Sequence, residues 1–187
     1  MGYRAMIICY MGGTCGDLIS AMIDPTDVII ENSKITLTDE RQRLKKSYLF
    51  SSDHRRDQYL EDISKIYKSI PSHDLEYHIR NKHEFIGITV TTFDTAMWAA
   101  CRFKNIHSNT VWQDMQNACG ADTIEKYAQM MIDYSNMILQ YTQKIITLES
   151  IRQGHVAINL ASYINGPVDE EIYHTWLAAQ TKLREND

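Results

Sequence analysis

Three glycines crowd one short stretch of this chain, Met11-Gly12-Gly13-Thr14-Cys15-Gly16-Asp17, between an apolar run and an amphipathic one. Where a strand feeds a helix through such a turn, backbone N–H groups converge and the helix adds the positive end of its dipole. That is the geometry of an anion site. Thr14 would add a hydroxyl donor. Cys15, at the helix start, would have its thiolate favoured, so a nucleophilic role is open to it. A phosphatase-type CxxxxxR loop is excluded, because Ala21 stands where the arginine belongs. Gly16 is followed by Asp17 rather than by the lysine of a GxxxxGK[ST] loop, which opposes ordinary ATP or GTP hydrolysis. Asp17 would instead cap the helix or hold a metal bridging to phosphate. A tight turn that binds nothing is the alternative.

His73 is the best general base in the sequence. An unperturbed imidazole titrates near 6.5 and so takes a hydroxyl proton near neutrality. Asp74 follows it and would orient an imidazole. His73, His78 and His83 are spaced by five, not by the four of a helical zinc pair, so no metal site is expected. A cationic stretch, Arg41 to Lys46, with Arg55-Arg56 beyond it, reads as one solvated helix face, with phosphate contact the alternative.

These residues need elements to position them. Ala5 to Tyr10 is an apolar run of strand length, and Leu18 to Ile23 suits a short helix stopped by Asp24-Pro25. Val28 to Leu37 holds one or two short strands about Asn32-Ser33, and Thr38-Asp39-Glu40 resembles a helix start. Asp57 to Tyr67 has helical spacing, Ile70 to Asp74 reads as a turn, and Leu75 to Lys82 as a short helix. Glu84 to Val90 is β-branched and reads as a buried strand, leading into a helix containing Thr95 to Phe103. A long amphipathic helix is predicted from Ala121-Asp122-Thr123 to about Leu148. Its Met and Tyr stripe is expected to be core or a homo-oligomer interface. Val156 to Leu160 is a third strand candidate, and Asp169 to Leu183 a closing helix. Strands alternating with helices predict an α/β domain with a mostly parallel sheet flanked by helices.

Composition bounds the rest. The 187 residues fit one domain, 1–187, with 44% hydrophobic and 23% charged residues, which excludes wholesale disorder or a fibrous repeat. A net charge of -5 argues against a protein devoted to bulk nucleic acid. Cysteines at 9, 15, 101 and 119 show no CxxC spacing, which favours a reducing compartment over a disulfide framework. No run approaches the roughly 20 apolar residues of a membrane span, so a cytoplasmic protein is expected. Isoleucine outnumbers leucine about two to one, a bias that reads as AT-rich coding and hints at a virus, phage or parasite.

In the order of its parts the chain resembles the sulfotransferase-like P-loop family. The strand entering Gly12-Gly13-Thr14-Cys15 is similar to the family's SGTT-type loop, and Ser72-His73 before EFIGITV is similar to its Ser-His or Thr-His pair. The late VAINLASYIN stretch and closing WLAAQ helix resemble its late strand and last helix. The resemblance implies a three-layer P-loop-like domain. Gly12, Gly13, Thr14, Cys15, Gly16 and Asp17 would cradle the phosphosulfate of PAPS, or the phosphates of PAP or another nucleotide, with His73 as base on a hydroxyl acceptor. Thr91-Thr92 stands where the family's phosphate-gripping arginine is expected, leaving Arg102 as the nearest cation. From a different class, the alternative is a non-catalytic viral or phage structural or host-interaction protein retaining a degenerate form of the fold.

Overall fold

The computed structural model describes residues 5–31, 34–38, 53–106 and 109–184. Its centre is a four-stranded, all-parallel sheet made of β1 (Met6–Cys9), β4 (Ser69–Ser72), β5 (Phe85–Thr89) and β6 (Ile145–Thr147), in the order β4-β1-β5-β6. β2 (Val28–Glu31) and β3 (Lys34–Leu37) form a separate antiparallel hairpin, the two strands anticipated about Asn32-Ser33. The helices are α1 (Gly16–Ile23), α2 (Asp53–Ile63), α3 (Leu75–Arg80), α4 (Phe93–Ile106), α5 (Asn109–Cys119), α6 (Ile124–Tyr141), α7 (Leu148–Gln153), α8 (Val156–Ile164) and α9 (Glu170–Arg184).

Alternation along the strands sends side chains to both faces. Ile8, Ile86, Ile88 and Ile146 pack in one cluster with Leu18, Ile19 and Met22 of α1 and Trp176 of α9. Ile7, Cys9 and Phe85 pack in another with Ile138 of α6 and Leu75 of α3. Both faces are therefore covered by helices, which is why β1 and β5 read as unbroken apolar runs. Burying an isoleucine this fully contributes roughly 1.5–3 kcal/mol relative to leaving it in water.

Three elements depart from the sequence pattern, each for a physical reason. Val156 to Leu160 is the start of α8, not a strand. Val156 and Leu160 are buried one helical turn apart, while Ile158 between them is 82% exposed. A short apolar run fits either period, and only the packing partner decides. The last parallel strand is instead β6, from residues that seemed to prolong the long helix. That helix ends at Tyr141, with Thr142 extended as its cap. Ile70 to Ser72 is not a turn but part of β4, and Pro71 is tolerated because β4 is the sheet's edge. Helix α5 had no counterpart in the sequence reading.

Part of the stripe of α6 goes to the core: Tyr127, Met131 and Ile138 are buried, while Tyr141 at its end is 55% exposed. The helix lies so close to β5 that a Cβ on Gly87 would overlap Ile138 Cγ2. Gly87→Ala should therefore destabilise the chain by about 1–3 kcal/mol through overpacking, read from urea unfolding midpoints. The cost should largely vanish in an Ile138→Ala background, where the added methyl has room.

Candidate functional site

The carboxyl ends of the parallel strands deliver the candidate residues to one edge of the sheet. β1 runs into the glycine loop, held at its entry by Tyr10 N donating to Ser72 O at 3.1 Å. Gly13 has a φ of +93°, and a Cβ there would stand 2.5 Å from the carbonyl oxygen of Ala99, so only glycine fits. Cys15 is left-handed at φ 65° and caps α1 without a side-chain bond. For a residue with a Cβ that conformation costs roughly 1–2 kcal/mol. Tyr127 Oη donates to Gly12 O at 3.2 Å, pinning the loop's outer arm.

The donors in this loop are its backbone. Among the described residues, the N–H groups of Gly12, Gly13, Cys15 and Gly16 have no intramolecular acceptor, whereas that of Thr14 is spent on Met11 O at 3.1 Å. The Thr14 hydroxyl also donates to Met11 O, at 2.7 Å, from a side chain only 2% exposed. It therefore braces the turn instead of offering a donor outward, contrary to the sequence expectation. Asp17 does not cap α1 through its side chain. Its carboxylate accepts from Tyr10 Oη at 2.8 Å, and the Tyr10 ring lies against Gly16 so closely that a Cβ there would overlap it. Among the described residues no group of three His, Cys, Asp or Glu side chains is placed to share a metal ion.

The cation missing from the loop arrives from elsewhere. Arg102, on α4, donates from Nη1 to Cys15 Sγ at 2.8 Å, across 87 residues of sequence. Its guanidinium carbon lies 5.6 Å from the ring centre of Trp98 and 5.3 Å from that of Trp176, and Arg152 of α7 covers Trp98 at 4.4 Å. Neither guanidinium has a carboxylate partner among the described residues. The two charges are held by aromatic faces and a thiol, which orient them without neutralising them. The thiol stays a thiol: burial raises Cys15 above its ordinary value and outweighs the lowering by Arg102 and Arg152. The expectation of a favoured thiolate at the helix start is thus overturned by desolvation.

Beside the loop, at the end of β5, Glu149 of α7 accepts from Thr91 N at 3.0 Å and Thr92 N at 3.3 Å through Oε1. Burial pushes its carboxyl up, but the backbone N–H groups of Thr91 and of Glu149 itself, with the Thr91 and Thr95 side chains, prevail and hold it below the usual value. Sequence reasoning missed both Glu149 and Arg152. They sit in a segment expected to be helix end and loop, and only the parallel pairing of β6 beside β5 brings them here.

His73 follows β4 at the same edge and is exposed. Its ring lies 4.2 Å from that of Tyr10, and Nδ1 is 2.8 Å from Tyr10 O. A carbonyl only accepts, so Nδ1 carries the hydrogen and Nε2 is the basic nitrogen. Asp74 does not orient His73. It caps α3 by accepting from Tyr77 N at 3.2 Å and pairs with Arg56 Nη1 at 2.7 Å. Arg56 is therefore committed inside the fold, and Arg41 to Lys46 lie outside the described residues.

Behind His73 runs a buried polar chain. Ser72 Oγ meets His78 Nε2 at 2.9 Å, and His78 Nδ1 meets His83 Nδ1 at 3.1 Å. His83 reaches a cavity of about 570 Å³ at the opposite, amino-terminal end of the strands, lined by Met6, Asp57, Leu60, Glu61, His83 and Glu84 among others. Its acidic groups are already partnered: Glu84 by Lys144, Glu61 by Lys65, and Asp57 by Tyr77 Oη. The loop edge, with unmatched donors and cations, is the stronger candidate site.

No family model, curated protein or solved structure matches this chain. Among the described residues no helix is long and apolar enough to cross a membrane.

His78 makes this edge sensitive to acid. Burial first, then His83 and Arg56, lower its pKa to about 3. Its folded value lies below its unfolded value near 6.5, so the stability it contributes is present above 6.5 and is lost as pH falls toward 3. The unfolding free energy should fall between pH 7 and 4, by an amount on the order of a few kcal/mol in total, read from urea unfolding. The His78→Gln variant should show a flatter profile over that window, and parallel profiles would refute the assignment.

Proposed function

We propose that the chain binds the phosphate end of a nucleotide over residues 12–17. In this reading it is a group transferase of the sulfotransferase-like P-loop kind, with PAPS, PAP or a related phosphorylated nucleotide as ligand. The observation that carries the reading is Arg102. Its guanidinium is held on Cys15 with no carboxylate against it, beside four loop N–H groups with no acceptor among the described residues. An anion there would satisfy both at once. Arg102 supplies the charge a loop lysine would carry, and Tyr10 engages the Asp17 carboxylate that seemed to oppose it.

His73 is the proton acceptor in this reading. The acceptor hydroxyl gives its proton to His73 Nε2 while its oxygen attacks the sulfur or phosphorus of the transferred group. The bond from that atom to the bridging oxygen of the nucleotide breaks. The negative charge left on that oxygen is taken up by the loop N–H groups and Arg102. Catalysis would rest on positioning and on charge stabilisation by groups already oriented.

Thermal melts with PAP, PAPS, ATP, GTP and pyrophosphate test the binding step. A ligand bound only by the folded chain raises the midpoint as its concentration exceeds Kd. At least one of these should do so at millimolar concentration, and Arg102→Gln should weaken that ligand by roughly tenfold or more, the worth of one charged hydrogen bond. His73→Asn should leave binding intact and lower transfer to a hydroxyl acceptor about 100-fold or more. No shift with any of the five would leave the non-catalytic reading in possession.

A further inference from the structure

Two imidazoles join the cavity at the amino end of the strands to the carboxyl edge. Ser72 Oγ is 2.9 Å from His78 Nε2, and His78 Nδ1 is 3.1 Å from His83 Nδ1. Ser72 and His78 are fully buried, whereas the His83 side chain is 19% exposed and lines the cavity. On its far side His83 Nε2 stands 3.7 Å from Asp57 Oδ1, which also accepts from Tyr77 Oη. At the other end Ser72 Oγ accepts from Asp74 N at 3.2 Å.

Counting hydrogens restricts this chain to two arrangements. Two ring nitrogens in hydrogen-bond contact share one hydrogen, because two would clash and none would set lone pair against lone pair. With both rings neutral, the Asp57 carboxylate favours the hydrogen of His83 on Nε2. His83 Nδ1 is then an acceptor, His78 Nδ1 donates to it, and the Ser72 hydroxyl donates to His78 Nε2. A protonated His83 carries hydrogen on both nitrogens, so its Nδ1 donates to His78 Nδ1. The single hydrogen of neutral His78 must then sit on Nε2 and donate to Ser72 Oγ, and the Ser72 hydroxyl hydrogen turns away. One proton enters from water and is held as the charge of His83. His78 exchanges one tautomer for the other and stays neutral.

We infer that His83 is a proton sensor whose protonation reverses the hydrogen-bond direction along His83, His78 and Ser72. The state of the cavity is thereby carried through the fold to the residue that precedes His73, whether or not the loop edge binds a nucleotide. The titratable and charged groups around His83 are Asp57 and Glu61 of α2, Tyr77 and His78 of α3, and Lys82 and Glu84 beside it, the last paired with Lys144. Arg56 of α2 lies over the Tyr77 ring at 5.1 Å. Burial, His83 and Arg56 hold His78 down at about 3, so it stays neutral where an open imidazole titrates, near 6.5.

Long-range proton–nitrogen NMR spectra of the isotope-labelled full chain read the tautomer and charge of each imidazole. At about pH 8, His83 should be neutral with its hydrogen on Nε2, and His78 should carry its hydrogen on Nδ1. Between about pH 8 and 5, His83 should gain its second hydrogen. His78 should pass to the Nε2–H tautomer with the same midpoint. His83→Gln should hold His78 in one tautomer across the range. Asp57→Asn keeps an oxygen for Tyr77 Oη and should lower both midpoints together by roughly half a unit or more. Backbone amide spectra at each pH show that the chain is folded. The opposite pair of tautomers at the alkaline end overturns the inference before any titration. So does a His83 that stays neutral throughout the range, or that titrates while His78 keeps its tautomer. A His78 that still switches in His83→Gln, or midpoints unmoved in Asp57→Asn, overturns it equally.

Discussion

No side chain fits at Gly12, Gly13 or Gly16. A Cβ on Gly16 would overlap the Tyr10 ring, one on Gly12 would press on Phe103 and Tyr127, and one on Gly13 would meet the backbone of α4. Much of the candidate site follows from this contact. Because the loop lies against α4 without intervening side chains, Arg102 reaches Cys15 directly. Because the Tyr10 ring covers Gly16, its hydroxyl arrives at Asp17 and its carbonyl remains exposed to His73. One close approach thus sets the loop, the cation and the base in register. The left-handed Cys15 is the strain that accompanies it, and strained backbone of this sort persists where its surroundings over-determine it.

The electrostatics follow from which groups are paired. Acidic side chains elsewhere are answered locally: Asp74 by Arg56, Glu84 by Lys144, Asp122 by Lys126. Arg102 and Arg152 meet tryptophan rings and a thiol instead. An aromatic face holds a guanidinium by its quadrupole and leaves the charge available to a further partner, which a carboxylate would not. Burial matters in the other direction for Cys15. A thiolate would be the obvious partner for Arg102, but desolvation disfavours it.

Much of this was legible in the sequence and some of it could not be. Strands β1 and β5, helix α1 and the glycine turn are local features, written in apolar runs, glycine spacing and an Asp-Pro stop. The misread segments are those where local pattern is degenerate. Val156 to Leu160 has five residues that suit either period, and three-residue β6 is too short to show one. Pro71 argued against a strand because the edge position that excuses it is a property of the sheet. Arg102 was visible as the nearest cation to an absent arginine. Glu149 and Arg152 were not, since nothing local distinguishes them until β6 is laid beside β5.

The acidity of the chain, -5 overall, looks at first like an obstacle to binding any phosphate. A field is set by where charges stand and how well they are screened, not by their sum. Carboxylates exposed to water and paired with lysine act weakly across a Debye length of roughly 8 Å. The two arginines lie partly buried, against low-dielectric rings, where a unit charge acts more strongly than it does in water. Asp17 is the one acidic residue inside the loop, and Tyr10 ties it down by a hydrogen bond. Glu149, at the same edge, has Oε1 fixed by the N–H groups of Thr91 and Thr92. An edge with two cations held on aromatic faces, and loop N–H groups without acceptors among the described residues, differs in its local field from the acidic chain as a whole.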